Sequence, residues 1–127
     1  MINEDHKNRP LSPHLTIYRP QFTSVMSILH RITGVGLIFS LLIAVIWFCS
    51  LSLGPKYFAL VRSLIGTTVV KGILGLSLWA LWYHFFTGIR HLFWDFGYGF
   101  DLSTAKWSAL LVIFSSTVCF VTTILVF

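Results

Sequence analysis

Charge is scarce in this chain: nine Lys plus Arg and four acids are distributed over 127 residues. With 56% hydrophobic residues and a mean hydropathy of +0.82, there is too little polar surface to cover a water-soluble globule, so the bilayer is the expected solvent. Acids are the scarcer sign, leaving a net charge of +5. The cations stand singly between apolar runs and form no basic stripe with interleaved aromatics, which argues against nucleic acid as a partner. Cysteine is nearly absent. Cys49 and Cys119 lie inside apolar runs without a C-x-x-C spacing, so the chain alone is not expected to ligate an iron-sulfur cluster. The first thirty residues lack an apolar stretch ahead of a small-residue cleavage site, and no cleaved signal peptide is expected.

What the chain does have is long apolar runs. Stretches free of Asp, Glu, Lys and Arg cover Ile32 to Pro55, Gly72 to Ile89 and Trp107 to Phe127, each near the ~20 residues that cross a bilayer core. Backbone facing lipid must satisfy its own hydrogen bonds, and three spans cannot close a barrel, so these segments should be helices. The expected fold is an all-α membrane protein with three transmembrane helices at about 24–53, 61–92 and 106–127, running up-down-up. Residues 1–23 form an N-terminal segment and residues 24–127 the membrane domain. Leu53-Gly54-Pro55 should close the first helix, and Phe96-Gly97-Tyr98-Gly99 should link the last two. Lys7, Arg9, Arg19, Arg31, Arg90 and Lys106 collect on one side against Lys56, Arg62 and Lys71 on the other, which places the N-terminus on the cytoplasmic or matrix side.

Ionisable groups at membrane depth are costly and call for partners. The second helix carries His84 and His91, seven apart and therefore on one face, with ~10 Å between them along the axis. One iron cannot take both, so a haem on His84 would draw its second axial ligand from another helix. Ser77, Ala80, Thr87 and Gly88 occupy or border the His84 face, and a flat macrocycle fits beside such small residues. The same pattern also suits a histidine hydrogen-bonded between closely packed helices. Trp79, Trp82, Phe86 and Phe93 make the opposite side bulky, suited to lipid or to neighbouring helices.

A second cluster opens the first helix. Ser27 and Arg31 are four apart, with Ser24 one turn earlier, so a hydroxyl and a guanidinium converge as the carbonyl of a quinone requires. An arginine reaching to headgroup phosphates, with serines capping the helix start, accounts for the spacing too. In antiparallel helices Arg31 and Arg90 approach the same membrane surface. Propionates of a haem on His84 would then reach His30, Arg31 or His91.

Three segments carry a resemblance: Arg9-Pro10-Leu11-Ser12-Pro13-His14-Leu15, Ser27-Ile28-Leu29-His30-Arg31-Ile32-Thr33-Gly34 and His84-Phe85-Phe86-Thr87-Gly88-Ile89-Arg90-His91. Together they resemble the cytochrome b subunits of succinate dehydrogenase, the larger membrane anchors of respiratory complex II. The likeness extends over nearly the whole chain, although the third helix carries no diagnostic motif. It implies that His84 is an axial ligand of haem b, that His30 and Arg31 lie close to the propionates with His91 nearby, and that Ser27 and Arg31 line a ubiquinone pocket. It also implies a second small anchor subunit that supplies the other haem ligand, a flavoprotein subunit that oxidises succinate, and an iron-sulfur subunit that passes electrons to quinone. The implied location is a bacterial inner or mitochondrial inner membrane. Two other functions suit parts of the pattern: a haem-free structural anchor for soluble partners, and a small proton or ion transport component using His84 and Arg31. No broken-helix signature or inverted repeat favours transport.

Overall fold

The computed structural model describes residues 19–127. The Arg9 to Leu15 motif, with Lys7 and Arg9 of the cation tally, lies outside the described residues. Among the described residues four helices make up the regular structure: α1 (Phe22–Ser52), α2 (Pro55–Ile65), α3 (Thr68–Asp95) and α4 (Leu102–Val126). As expected, α1, α3 and α4 are each long and apolar enough to cross a membrane.

The second helix was expected as one piece from about 61 to 92, and here the structure corrects the sequence reading. The chain makes a short helix, breaks at Gly66-Thr67, and only then enters the long α3. Thr67 adopts an extended backbone (ψ 146°), which interrupts the helical path. Its hydroxyl donates to the Leu64 carbonyl at 2.7 Å, beside its own backbone N–H at 3.1 Å, which ties the end of α2 into a turn. Arg62, Ser63, Thr67, Thr68 and Lys71 interrupt the apolar residues around this point, but composition alone does not say which of them leaves the helical conformation. α2 is amphipathic. Phe58, Val61 and Ile65 are half-buried and share a face, while Lys56 and Arg62 are exposed. Phe58 meets Trp47 of α1 edge-on, with ring centroids 6.2 Å apart. Gly54, at φ +103°, makes the reversal between α1 and α2 that a side-chain-bearing residue resists.

α3 is the central element and packs on α1 along one side and on α4 along the other. Met26 of α1, Tyr83 of α3 and Ala109 and Val112 of α4 form the shared core, flanked by Trp79, Phe86 and Ile113. Small residues let α4 approach closely, since Ala105, Ala109 and Ser116 are all buried there. Indole donors reach across the same seam, from Trp79 to Thr117 (3.4 Å) and from Trp82 to Thr123 (3.2 Å). The bulky side of α3 is thus largely a helix interface, although Phe93 on it stays exposed. Many Leu, Ile, Val and Phe side chains remain exposed along the three long helices, as lipid-facing surfaces require.

Candidate functional site

The α1–α3 seam gathers the histidines. His30 and His84 stack with ring centroids 3.9 Å apart and planes 11° from parallel. His91 closes the group, its centroid 5.1 Å from that of His30 and its ring tilted by 53°. Three histidines separated by up to 61 positions in sequence thus form one cluster. All three are half-buried.

Hydrogen bonding determines the state of His84. Its Nδ1 lies 3.1 Å from the backbone carbonyl of His30 and 3.3 Å from Oγ1 of Thr33. The Thr33 hydroxyl donates its proton to that same carbonyl at 2.9 Å, so toward His84 it can only accept. Both neighbours of Nδ1 are therefore acceptors, and Nδ1 must carry the ring proton. In the neutral ring Nε2 then holds the lone pair, and it makes no hydrogen bond among the described residues.

Gly34 creates the space for this arrangement. A Cβ at that position would stand 2.9 Å from Cε1 of His84, closer than ordinary contact permits. Along α3, one turn beyond His84, Gly88 is open: a Cβ added there would meet nothing within 4 Å. Nδ1 of His30 is buried without a hydrogen-bond partner among the described residues. A free imidazole lone pair, an uncovered glycine flank and an orphaned ring nitrogen together fit a prosthetic group that brings a metal and polar substituents to this seam.

The quinone candidates lie at the start of α1. Ser27 is half-buried and Arg31 exposed. Next to Ser27, Met26 ties α1 to α3: the buried Tyr83 hydroxyl donates to its carbonyl at 2.9 Å and approaches its sulfur at 3.5 Å. Arg90, expected at the same membrane surface as Arg31, turns its side chain toward α4. It donates from Nε to Ser108 Oγ and from Nη2 to the Ala105 carbonyl, each at 2.9 Å.

Thr33, Gly34 and Tyr83 are positioning residues that the sequence reading passed over. Thr33 and Gly34 sit inside a quoted motif, and Tyr83 immediately precedes His84. Their roles depend on which residues face them across the seam.

The chain matches the family model described as succinate dehydrogenase/fumarate reductase transmembrane subunit over residues 5–123. It is 40% identical to the succinate dehydrogenase cytochrome b556 subunit of Paracoccus denitrificans over 131 aligned positions, covering 100% of this chain and 98% of the relative. With the cytochrome b556 subunit of Rickettsia bellii it shares 42% identity over 85% of its length and 86% of the relative's. The cytochrome b560 subunit of the liverwort Marchantia polymorpha is 40% identical, with 84% of this chain and 82% of that protein aligned. A three-span chain whose histidines meet at one seam, matched along nearly its full length, belongs to the family of succinate dehydrogenase/fumarate reductase transmembrane subunits.

Proposed function

We propose that this chain is the haem- and quinone-binding anchor of a succinate:ubiquinone oxidoreductase in a bacterial inner or mitochondrial inner membrane, with its N-terminus on the cytoplasmic or matrix side. The observation that carries the reading is the fixed tautomer of His84, whose Nδ1 proton faces two acceptors and whose Nε2 lone pair is uncommitted. Metal-bound histidines use this pattern: a hydrogen bond from one ring nitrogen orients the imidazole and raises the basicity of the other. The names of the relatives, cytochrome b556 and b560 subunits, support a b-type haem.

When bound, haem b supplies a centre that accepts and returns one electron. His84 would hold its iron through Nε2, and a second anchor subunit would provide the other protein ligand. His30, with its orphaned Nδ1, and Arg31 and His91 would satisfy the propionates. Ser27 and Arg31 would bind a carbonyl oxygen of ubiquinone and stabilise the negative charge that builds there as electrons arrive. The flavoprotein and iron-sulfur subunits would carry succinate oxidation and electron delivery, since this chain has neither a dinucleotide fingerprint nor a cysteine cluster.

In the purified complex, His84→Ala should abolish or displace the low-spin b-type bands in a dithionite-reduced difference spectrum; an unchanged spectrum would refute the ligand assignment. Arg31→Ala should keep the haem bound through His84, with His30 and His91 left for the propionates, and lower succinate:quinone reductase activity by about tenfold or more, the scale of one charge-assisted hydrogen bond lost at a developing oxyanion. Full activity in that variant would remove Arg31 from the quinone pocket.

A further inference from the structure

On the opposite side of α3 from the histidines, a groove of about 370 Å³ runs between α3 and α4. Its inner part is apolar, lined by Phe86, Ile89, Phe93 and Leu111, while Tyr98 and Thr104 stand at the end near the α3–α4 link. Arg90 also lines it and is only 6% exposed. Every partner of this guanidinium is neutral: the Ser108 hydroxyl, the Ala105 carbonyl and the Trp94 ring, whose centroid lies 4.1 Å from Cζ. No carboxylate pairs with it among the described residues, and Nη1 makes no hydrogen bond there. Asp95 and Asp101, at the same end of the helices, are exposed.

A buried cation surrounded only by dipoles is expensive in a low-dielectric setting and is stabilised by an anion. The direction of the side chain identifies where that anion sits. Trp94 is one turn further along α3 and Ala105 lies in the first turn of α4, so the guanidinium leans toward the membrane surface rather than the bilayer centre. An occupant must therefore present negatively charged oxygen at headgroup level and hydrocarbon along the apolar floor.

We propose that this groove binds one anionic phospholipid, its phosphate on Arg90 and an acyl chain along Phe86, Ile89 and Leu111. Charge complementarity selects the headgroup, because a guanidinium with a free donor matches phosphate oxygens. The inference requires neither the haem nor the quinone reading.

The test uses the intact complex in detergent, equilibrated with equal amounts of phosphatidylglycerol and phosphatidylcholine, with retained lipids counted by native mass spectrometry. Wild type should retain phosphatidylglycerol at this site in preference to phosphatidylcholine. Arg90→Gln should weaken that retention about tenfold, as expected for losing a hydrogen bond to a charged group. Leu111→Trp, at a residue exposed to the groove, should fill the floor and displace the same lipid with Arg90 intact. If Arg90→Gln does not assemble, Leu111→Trp decides alone. Undiminished phosphatidylglycerol in Leu111→Trp would overturn the proposal, as would equal retention of both lipids by wild type; either result fits an acidic side chain of a neighbouring subunit on Arg90. The b-type absorbance of each variant reports on the His84 site separately.

Discussion

The two seams of α3 are built from different chemistry. Toward α1 the contacts are polar and specific: a histidine pair stacked at 3.9 Å, the Thr33 relay, and a 2.7 Å hydrogen bond from Ser40 to Ser77 further along. Toward α4 the contacts are small residues under aromatic ones, with Ala109 and Ser116 fully buried beneath the Trp79, Tyr83 and Phe86 side. Helices in lipid gain little from hydrophobic burial against each other, so close packing holds the α4 seam and leaves the α1 seam free to carry polar groups. The α1 seam has an orphaned imidazole nitrogen and an open glycine flank, whereas the α4 seam is closed by small residues and carries its one buried cation among the described residues, Arg90, at its end.

Substitutions can break this contrast. The largest stability effect is expected from Ala109→Leu, since Ala109 is fully buried between α3 and α4. Overpacking there should cost about 1–3 kcal/mol, visible as a lower thermal midpoint of the solubilised complex, with the b-type spectrum retained up to the transition. Tyr83→Phe comes next. It removes the hydroxyl that ties α3 to the Met26 carbonyl and should cost about 1 kcal/mol in the same assay. Because Tyr83 touches both seams, this variant should also broaden the haem bands, whereas Ala109→Leu should not. Gly34→Ala should change stability least. Replacing a helical glycine gains up to about 1 kcal/mol, and forcing His84 off its rotamer costs a similar amount, so the two nearly cancel. Its spectrum should nevertheless shift, because a Cβ 2.9 Å from Cε1 must move the ring. A wild-type spectrum in Gly34→Ala would show that the seat is not needed to aim the imidazole.

Much of this was legible in the chain itself. Three apolar runs require three helices because lipid offers the backbone no hydrogen bonds, and no tertiary information is needed to place them. His84 and His91 share a face through helix periodicity alone, and the short motifs around them carry the family. The division of the expected 61–92 helix was missed although the chain marks the region, with Arg62, Ser63, Gly66, Thr67, Thr68 and Lys71 interrupting the apolar residues; composition does not say which of them leaves the helical conformation. The direction of Arg90 was hidden for a related reason. Sequence spacing places its Cα on α3, but the hydroxyl and carbonyl that hold its guanidinium come from α4.

Composition and periodicity determined that the chain crosses a membrane as helices and presents imidazoles on one of them, because solvent and helix geometry act locally and leave no alternative. Only the tertiary structure decided which imidazole nitrogen carries the proton, that Gly34 seats the His84 ring, and that Arg90 belongs to a different seam from the histidines. Those outcomes depend on which atoms of separate helices come within hydrogen-bonding or van der Waals distance, a relation that spacing along one chain does not encode.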